Sequence, residues 1–255
     1  MRYWIKDCIR SHGSCNENQR AHCPTRLLDL VRFRSSGDIV LTEREEHANE
    51  HIPYTTLSHC WGAPTSRPLI TNLTNLASRK SRIPFDELPL TFQDAVTTTR
   101  KLNIPYLWID SLCIIQNSPS DWEKEAGRMA KVYAGSVCTL SALGSKDSNG
   151  GFFRVAEKKK DFGFQYDLTL GSQRIRLFPS DPNNWMWDGP LMHRAWTLQE
   201  RELSKRILHF SPEGLLWECK TLRASADLPW LQVSRSRSFF RLSHGCREEA
   251  KNALG

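Results

Sequence analysis

No stretch of the 255-residue chain approaches the ~20 consecutive apolar residues that a membrane-spanning helix needs. The opening segment, MRYWIKDCIRSHGSC, carries no apolar core of the kind a secretory signal requires. Together these absences lead us to expect a cytoplasmic protein, with the nucleus as the other compartment open to it. Cysteine occurs eight times but never as Cys-x-x-Cys, so no paired zinc knuckle is present, and in a reducing compartment disulfides are not expected. There is no internal repeat, zinc-finger repeat, basic helix or RNP-like aromatic strand. Nucleic-acid binding is therefore not expected, although the formal charge is +7. The basic residues are spread along the chain and interleaved with acids at positions 43–46 and 200–202, the pattern of a solvated face.

What the chain does have is apolar area: 39% hydrophobic residues against 25% charged, with nine Trp and eleven Phe. That composition supports a folded core, and the length fits one α/β domain with appendages. Residues 3–15 read as a short helix. The runs Arg26–Val31 and Ile39–Thr42 read as a hairpin across a Ser-Ser-Gly-Asp turn. A strand is expected at Tyr54–His59, ending at Trp61-Gly62, and helices at Leu73–Arg79 and after Pro89, the latter capped by Thr91. Tyr106–Ile115 is apolar on both parities over its first half, the signature of a strand covered on both faces. After Ser120 as cap, Trp122, Ala126, Met129, Ala130 and Tyr133 recur at helical steps, and Val137–Ala142 reads as the next strand. Strand, helix and strand within about forty residues make a βαβ unit, which demands parallel pairing. A helix over Arg194–Leu203 and a hairpin of Arg206–Phe210 with Leu215–Cys219 close the pattern. We divide the chain into an N-terminal helix and hairpin (1–50), a central domain (51–222) with a loop-rich insertion (144–190), and a basic Ser/Arg-rich tail (223–255).

Three blocks carry a resemblance: Tyr54-Thr-Thr-Leu-Ser-His-Cys-Trp-Gly62; Tyr106-Leu-Trp-Ile-Asp-Ser-Leu-Cys-Ile-Ile-Gln116 with Asp121-Trp-x-x-Glu125-x-x-x-Met129; and Arg194-Ala-Trp-Thr-Leu-Gln-Glu-Arg201. In order and type they resemble the fungal heterokaryon-incompatibility (HET) domain family. The segment Trp4-x3-Cys8-x3-His12-x2-Cys15 resembles the stretch that commonly precedes such a domain. The resemblance implies a non-self-recognition effector that triggers regulated cell death when a recognition partner activates it, and we expect self-association, because assembly-dependent activity would keep one small domain silent until triggered. It also implies distant kinship with TIR domains, hence a TIR-like α/β sandwich around a central, mostly parallel sheet flanked by helices. Some TIR domains cleave NAD, which makes an NAD-cleaving hydrolase the alternative function, with NAD as substrate. The catalytic carboxylate would then be Glu125, whose Trp-x-x-Glu spacing is one residue shorter than the TIR pattern.

Beside the resemblance, each candidate has a plain reading. Glu125 on an amphipathic helix is ordinarily a solvated or ion-paired side chain. As a catalyst it would stabilise the cationic centre that forms as nicotinamide departs. Asp110 and Ser111 follow an apolar strand, where open α/β sheets place their ligands, although an Asp there also caps turns. Ser58, His59 and Gly62 end another strand, with Gly62 able to admit a phosphate close to the backbone. Arg194 is a candidate partner for Glu125 or Asp110, and Trp196 reads as core. Cys113, inside Leu-Cys-Ile-Ile, reads as an inert buried thiol. Cys8, His12 and Cys15 share one helical stripe, with Cys23 or His22 as a fourth ligand for zinc. Packing is the more ordinary reading of such a stripe, and tetrahedral ligation would require their ligand atoms to converge within about 4 Å.

Overall fold

The computed structural model describes residues 1–16, 23–33, 37–44, 52–63, 65, 68–153, 166–170, 173–177, 189–212, 214–226 and 233–234. The sequence-level expectations for His22, most of the insertion and nearly all of the tail lie outside these residues. The chain is α/β, a ten-stranded mixed sheet with helices on its faces.

Helix α1 (Arg2–Ser11) is followed by a short 3-10 turn at Gly13–Cys15. Strands β1 (Arg26–Asp29) and β2 (Asp38–Glu43) form the expected hairpin. Next come β3 (Tyr54–Ser58), α2 (Leu76–Ser81), β4 (Ile83–Pro84), α3 (Leu90–Lys101) and β5 (Tyr106–Trp108). A single helical turn at Asp110–Cys113 precedes α4 (Pro119–Ala126), α5 (Met129–Gly135) and β6 (Cys138–Ser141). The pair β7 (Tyr166–Leu170) and β8 (Gln173–Leu177) forms a separate hairpin. Helix α6 (Ala195–Leu203) leads into β9 (Arg206–Ser211), β10 (Gly214–Cys219), β11 (Leu222–Ser225) and β12 (Val233–Ser234).

The strand order is β12-β11-β10-β9-β6-β3-β5-β1-β2-β4. Pairing is parallel across β9-β6-β3-β5 and antiparallel at every other step. This corrects the expectation of a mostly parallel sheet. The helical crossovers generate the parallel centre, and the hairpins at both ends of the chain add antiparallel wings, because a short turn can join only antiparallel neighbours. The N-terminal hairpin is thus continuous with the central sheet, with β1 pairing β5.

Residues 106–115 also differ from a single long strand. Only Tyr106–Trp108 is extended. Asp110 then accepts the Ser111 backbone N–H at 2.7 Å and helps turn the chain into one helical turn. Trp108, Ile109, Leu112, Cys113 and Ile114 are all buried, so burial on both parities came from a strand followed by an enclosed turn. β5 lies between parallel β3 and antiparallel β1. The helix expected as one element is two, α4 and α5, separated at Gly127-Arg128, and its cap is Ser118, which accepts the Asp121 N–H, with Pro119 in the first turn. Thr91 lies inside α3, whose N-cap is Pro89.

Helix α4 also turns the opposite way from its expected apolar stripe. Trp122 is 52% exposed, whereas Glu125 is 2% exposed. The face directed inward is acidic because the start of β1 supplies polar partners: Arg26 pairs with Asp121, and the Thr25 hydroxyl donates to Glu125 at 2.7 Å. On the sheet, Thr56 meets Thr139 at 2.7 Å, Thr139 meets Ser204 at 2.6 Å, and Tyr54 donates to the Val132 carbonyl at 2.7 Å. The β3 face carrying Tyr54, Thr56 and Ser58 therefore looks toward α5 and α6, while Thr55 meets Thr99 of α3 on the opposite face. Among the described residues no helix is long and apolar enough to cross a membrane.

Candidate functional site at the carboxyl ends of the parallel strands

Parallel strands β3 and β6 end in register, with Ser58 beside Ser141, and Ser141 lies beside His209 near the end of β9. The helices that follow bring further polar groups to this edge, as expected for an open α/β sheet. Ser58 donates its hydroxyl to Glu200 on α6. Tyr133 of α5 donates to the Leu57 carbonyl at 3.2 Å, and its hydroxyl also contacts Glu200. Burial pushes the Glu200 carboxyl up to about 7. The Ser58 hydrogen bond opposes this, the Asp110 charge adds to it, and Arg194 and Tyr133 oppose it. A carboxyl held there can give or take a proton near neutrality.

His59, next along the chain, is 2% exposed and meets Phe92 edge-on at 5.0 Å. Burial lowers its imidazole to about 4, opposed by Asp110 and assisted by Arg194, so the ring is neutral. Its Nδ1 lies 3.9 Å from Asp110, and its Nε2 is buried without a hydrogen-bond partner among the described residues. Asp110 accepts the Trp61 indole N–H at 2.8 Å. Arg194, at the N-cap of α6, donates to the His59 carbonyl rather than to either carboxylate proposed for it. Gly62 is exposed at φ +82°, a conformation that requires glycine there. Ser111 is fully buried, its hydroxyl unpartnered among the described residues.

The structure thus gathers Ser58, His59, Asp110 and Arg194 at one edge. It adds Glu200 and Tyr133, which sequence reasoning did not nominate. The available signal was the position of Glu200 in the third block, in the same helix as Arg194. Glu125 belongs to a different neighbourhood: its carboxylate is held by Thr25 and lies 3.9 Å from Arg128. Cys113 is 1% exposed with its thiol pushed by burial up to about 12, in keeping with an inert thiol. Trp196 lies in α6, but its side chain is outside those described.

The edge is closed. Behind Ser58, a cavity of about 10 Å³, roughly the room one water needs, is lined by residues including Thr139, Ser141, Thr197, Arg201 and His209. On its far side Glu218 receives Arg201 at 2.8 and 2.9 Å, Arg223 at 3.1 and 3.2 Å, and His209 at 3.1 Å.

Of the metal candidates, Cys8, His12 and Cys15 come together, and the fourth member of their group is Cys219. Cys23 sits elsewhere, its thiol donating to the Pro24 carbonyl at 3.6 Å.

Residues 54–200, more than half of the chain, match the family described as Heterokaryon incompatibility protein (HET). The chain belongs to this family. All three sequence blocks, apart from Arg201, fall within the matched span, as do Ser58, Asp110, Tyr133 and Glu200 of the site. Comparisons with curated proteins and with solved structures find no match.

Proposed function

We propose that this HET domain is an effector of non-self recognition that is silent alone and triggers regulated cell death when self-association, driven by a recognition partner, rearranges its carboxyl-end site. The observation that carries this reading is the burial of the site's polar groups. Ser58 and Glu200 are buried and bonded to one another, and the described cavity beside Ser58 has room for about one water, so an external event that rearranges these groups would let the site act. Trp122, exposed on a helix from the second block, offers an apolar contact for association. A cytoplasmic location and a TIR-like ancestry accord with this reading.

The alternative, NAD cleavage, draws support from a different residue than Glu125. A carboxyl near neutrality beside Ser58 and Tyr133 makes Glu200 the candidate base. It would take a proton from water as the water oxygen bonds to the ribose C1′ and the C1′–N bond breaks, releasing neutral nicotinamide. Both readings are tested by fusing the chain to an inducible dimeriser in a fungal host. Clustered wild type should kill, and a clustered wild type that leaves cells viable removes the effector reading. Glu200→Gln with intact self-association should abolish killing and nicotinamide release together if the site is catalytic. Killing without nicotinamide release would leave signalling alone.

A further inference from the structure

We propose that Cys8, His12, Cys15 and Cys219 bind one zinc ion in a structural Cys3His site that fastens the N-terminal helix to the β10–β11 wing of the sheet. Among the described residues this is the one group of three or more His, Cys, Asp or Glu side chains whose ligand atoms converge, all lying within 4.8 Å of one another. Cys8 and His12 are one turn apart on and just beyond α1, Cys15 ends the following 3-10 turn, and Cys219 ends β10. The His12 Nδ1 lies 3.5 Å from the Cys219 sulfur. Tetrahedral ligation at ~2.0–2.3 Å places ligand atoms roughly 3.3–3.8 Å apart. The widest pair must therefore close by about an ångström, within reach of small side-chain rotations.

The surroundings are those of thiolates. The Leu222 backbone N–H donates to the Cys219 sulfur at 3.4 Å from the tight turn that begins β11, and the Arg206 Nε donates to the Cys8 sulfur at 3.3 Å. Donors aimed at sulfur orient and stabilise metal-bound thiolate. Arg206 supplies an independent argument. It is 4% exposed, and its described partners are Cys8, the Cys15 carbonyl and the Asn16 side chain, with no carboxylate among the described residues. A buried guanidinium without a counter-charge is costly. Zinc with three thiolates and a neutral imidazole carries a net charge of −1, which would balance the Arg206 guanidinium beside it. Cys8, Cys15 and Cys219 are all but fully buried, and four protein ligands fill a tetrahedral shell, which makes the site structural rather than catalytic.

The test is metal analysis of the full chain, produced without a histidine tag in zinc-supplemented cells. We expect one zinc per chain in wild type and in Cys23→Ser, and loss of most of it in Cys219→Ser. Because Cys219→Ser can fail to fold, the wild-type protein is also refolded with cobalt(II), where intense tetrahedral ligand-field bands and sulfur-to-cobalt charge transfer are expected. Removing zinc from wild type should lower the melting temperature by about 10 °C or more. Wild type carrying far less than one zinc, an octahedral cobalt spectrum, or full zinc retention in soluble Cys219→Ser would each overturn the proposal.

Discussion

Glu200 on α6 and Glu218 on β10 are both buried, 6% and 1% exposed, and each bonds a residue that lines the small cavity, Ser58 for one and Arg201 and His209 for the other, yet their partners differ in kind. Glu200 is met by the hydroxyls of Ser58 and Tyr133, with Arg194 acting through space, and its carboxyl rises to about 7. Burial also pushes Glu218 up. The His209 and Arg201 hydrogen bonds and the nearby positive charges outweigh it and hold the carboxyl well below the usual range. His209, whose imidazole is lowered chiefly by burial, joins the network through both ring nitrogens, one 3.1 Å from Glu218 and the other 3.1 Å from Ser141. One acid is locked ionised by fixed cations. The other is left near its switching point, which is how reactive groups differ from structural ones.

The sharpest way to break this contrast is to remove the Glu218 charge. Glu218→Gln leaves Arg201 and Arg223 buried against a neutral amide and should cost about 3–5 kcal/mol, read as a drop in the urea midpoint. A loss under about 1 kcal/mol would show that water reaches the network.

A smaller effect is expected from Glu200→Gln, and it should depend on pH. Because the folded-state carboxyl titrates above its unfolded value near 4.5, its contribution to stability is fully present below about pH 4.5 and lost as pH rises through about 7. A shift of this size corresponds to about 3 kcal/mol. Glu200→Gln should therefore match or exceed wild-type stability at about pH 8 and lose the wild-type decline between about 4.5 and 7. His59, lowered to about 4, acts in the opposite sense, its contribution lost as pH falls from about 6.5 through 4. For that reason the measurement is the difference between variant and wild-type urea midpoints across pH. Parallel curves would contradict the burial of an ionisable Glu200.

The smallest change should come from Glu125→Gln. The amide oxygen can still accept from Thr25, and the Arg128 pair it gives up is 3.9 Å long with Arg128 30% exposed. Stability should fall by less than about 1 kcal/mol, and killing by clustered protein should persist. Loss of killing with intact folding and assembly would return Glu125 to the active site.

These contrasts also mark what the sequence could reveal. The hairpin at 26–43, the βαβ unit and the final hairpin were legible because period-2 and helical spacings and turn chemistry act locally. Ser58, His59, Asp110 and Arg194 were legible as strand or helix ends. Glu200 was not, because nothing in the spacing of α6 tells that its acidic side chain is covered by β3 and α5. The inward turn of Glu125 depended on Thr25, one hundred residues away. Cys219 was invisible for the same reason, 207 residues from His12. Pairings this remote leave no periodic trace.

The docking of α1 bears on synthesis as well as stability. Trp4 stacks on Trp217 with ring centres 6.1 Å apart, so α1 cannot take its final place until β10, far later in the chain, has been made. At ~5–20 residues per second, that partner emerges roughly 10–40 s after the helix. Throughout that interval the nascent chain has no β10 against which to seat its first helix. A chain cut short before β10 therefore lacks the ring that covers Trp4 and leaves α1 undocked.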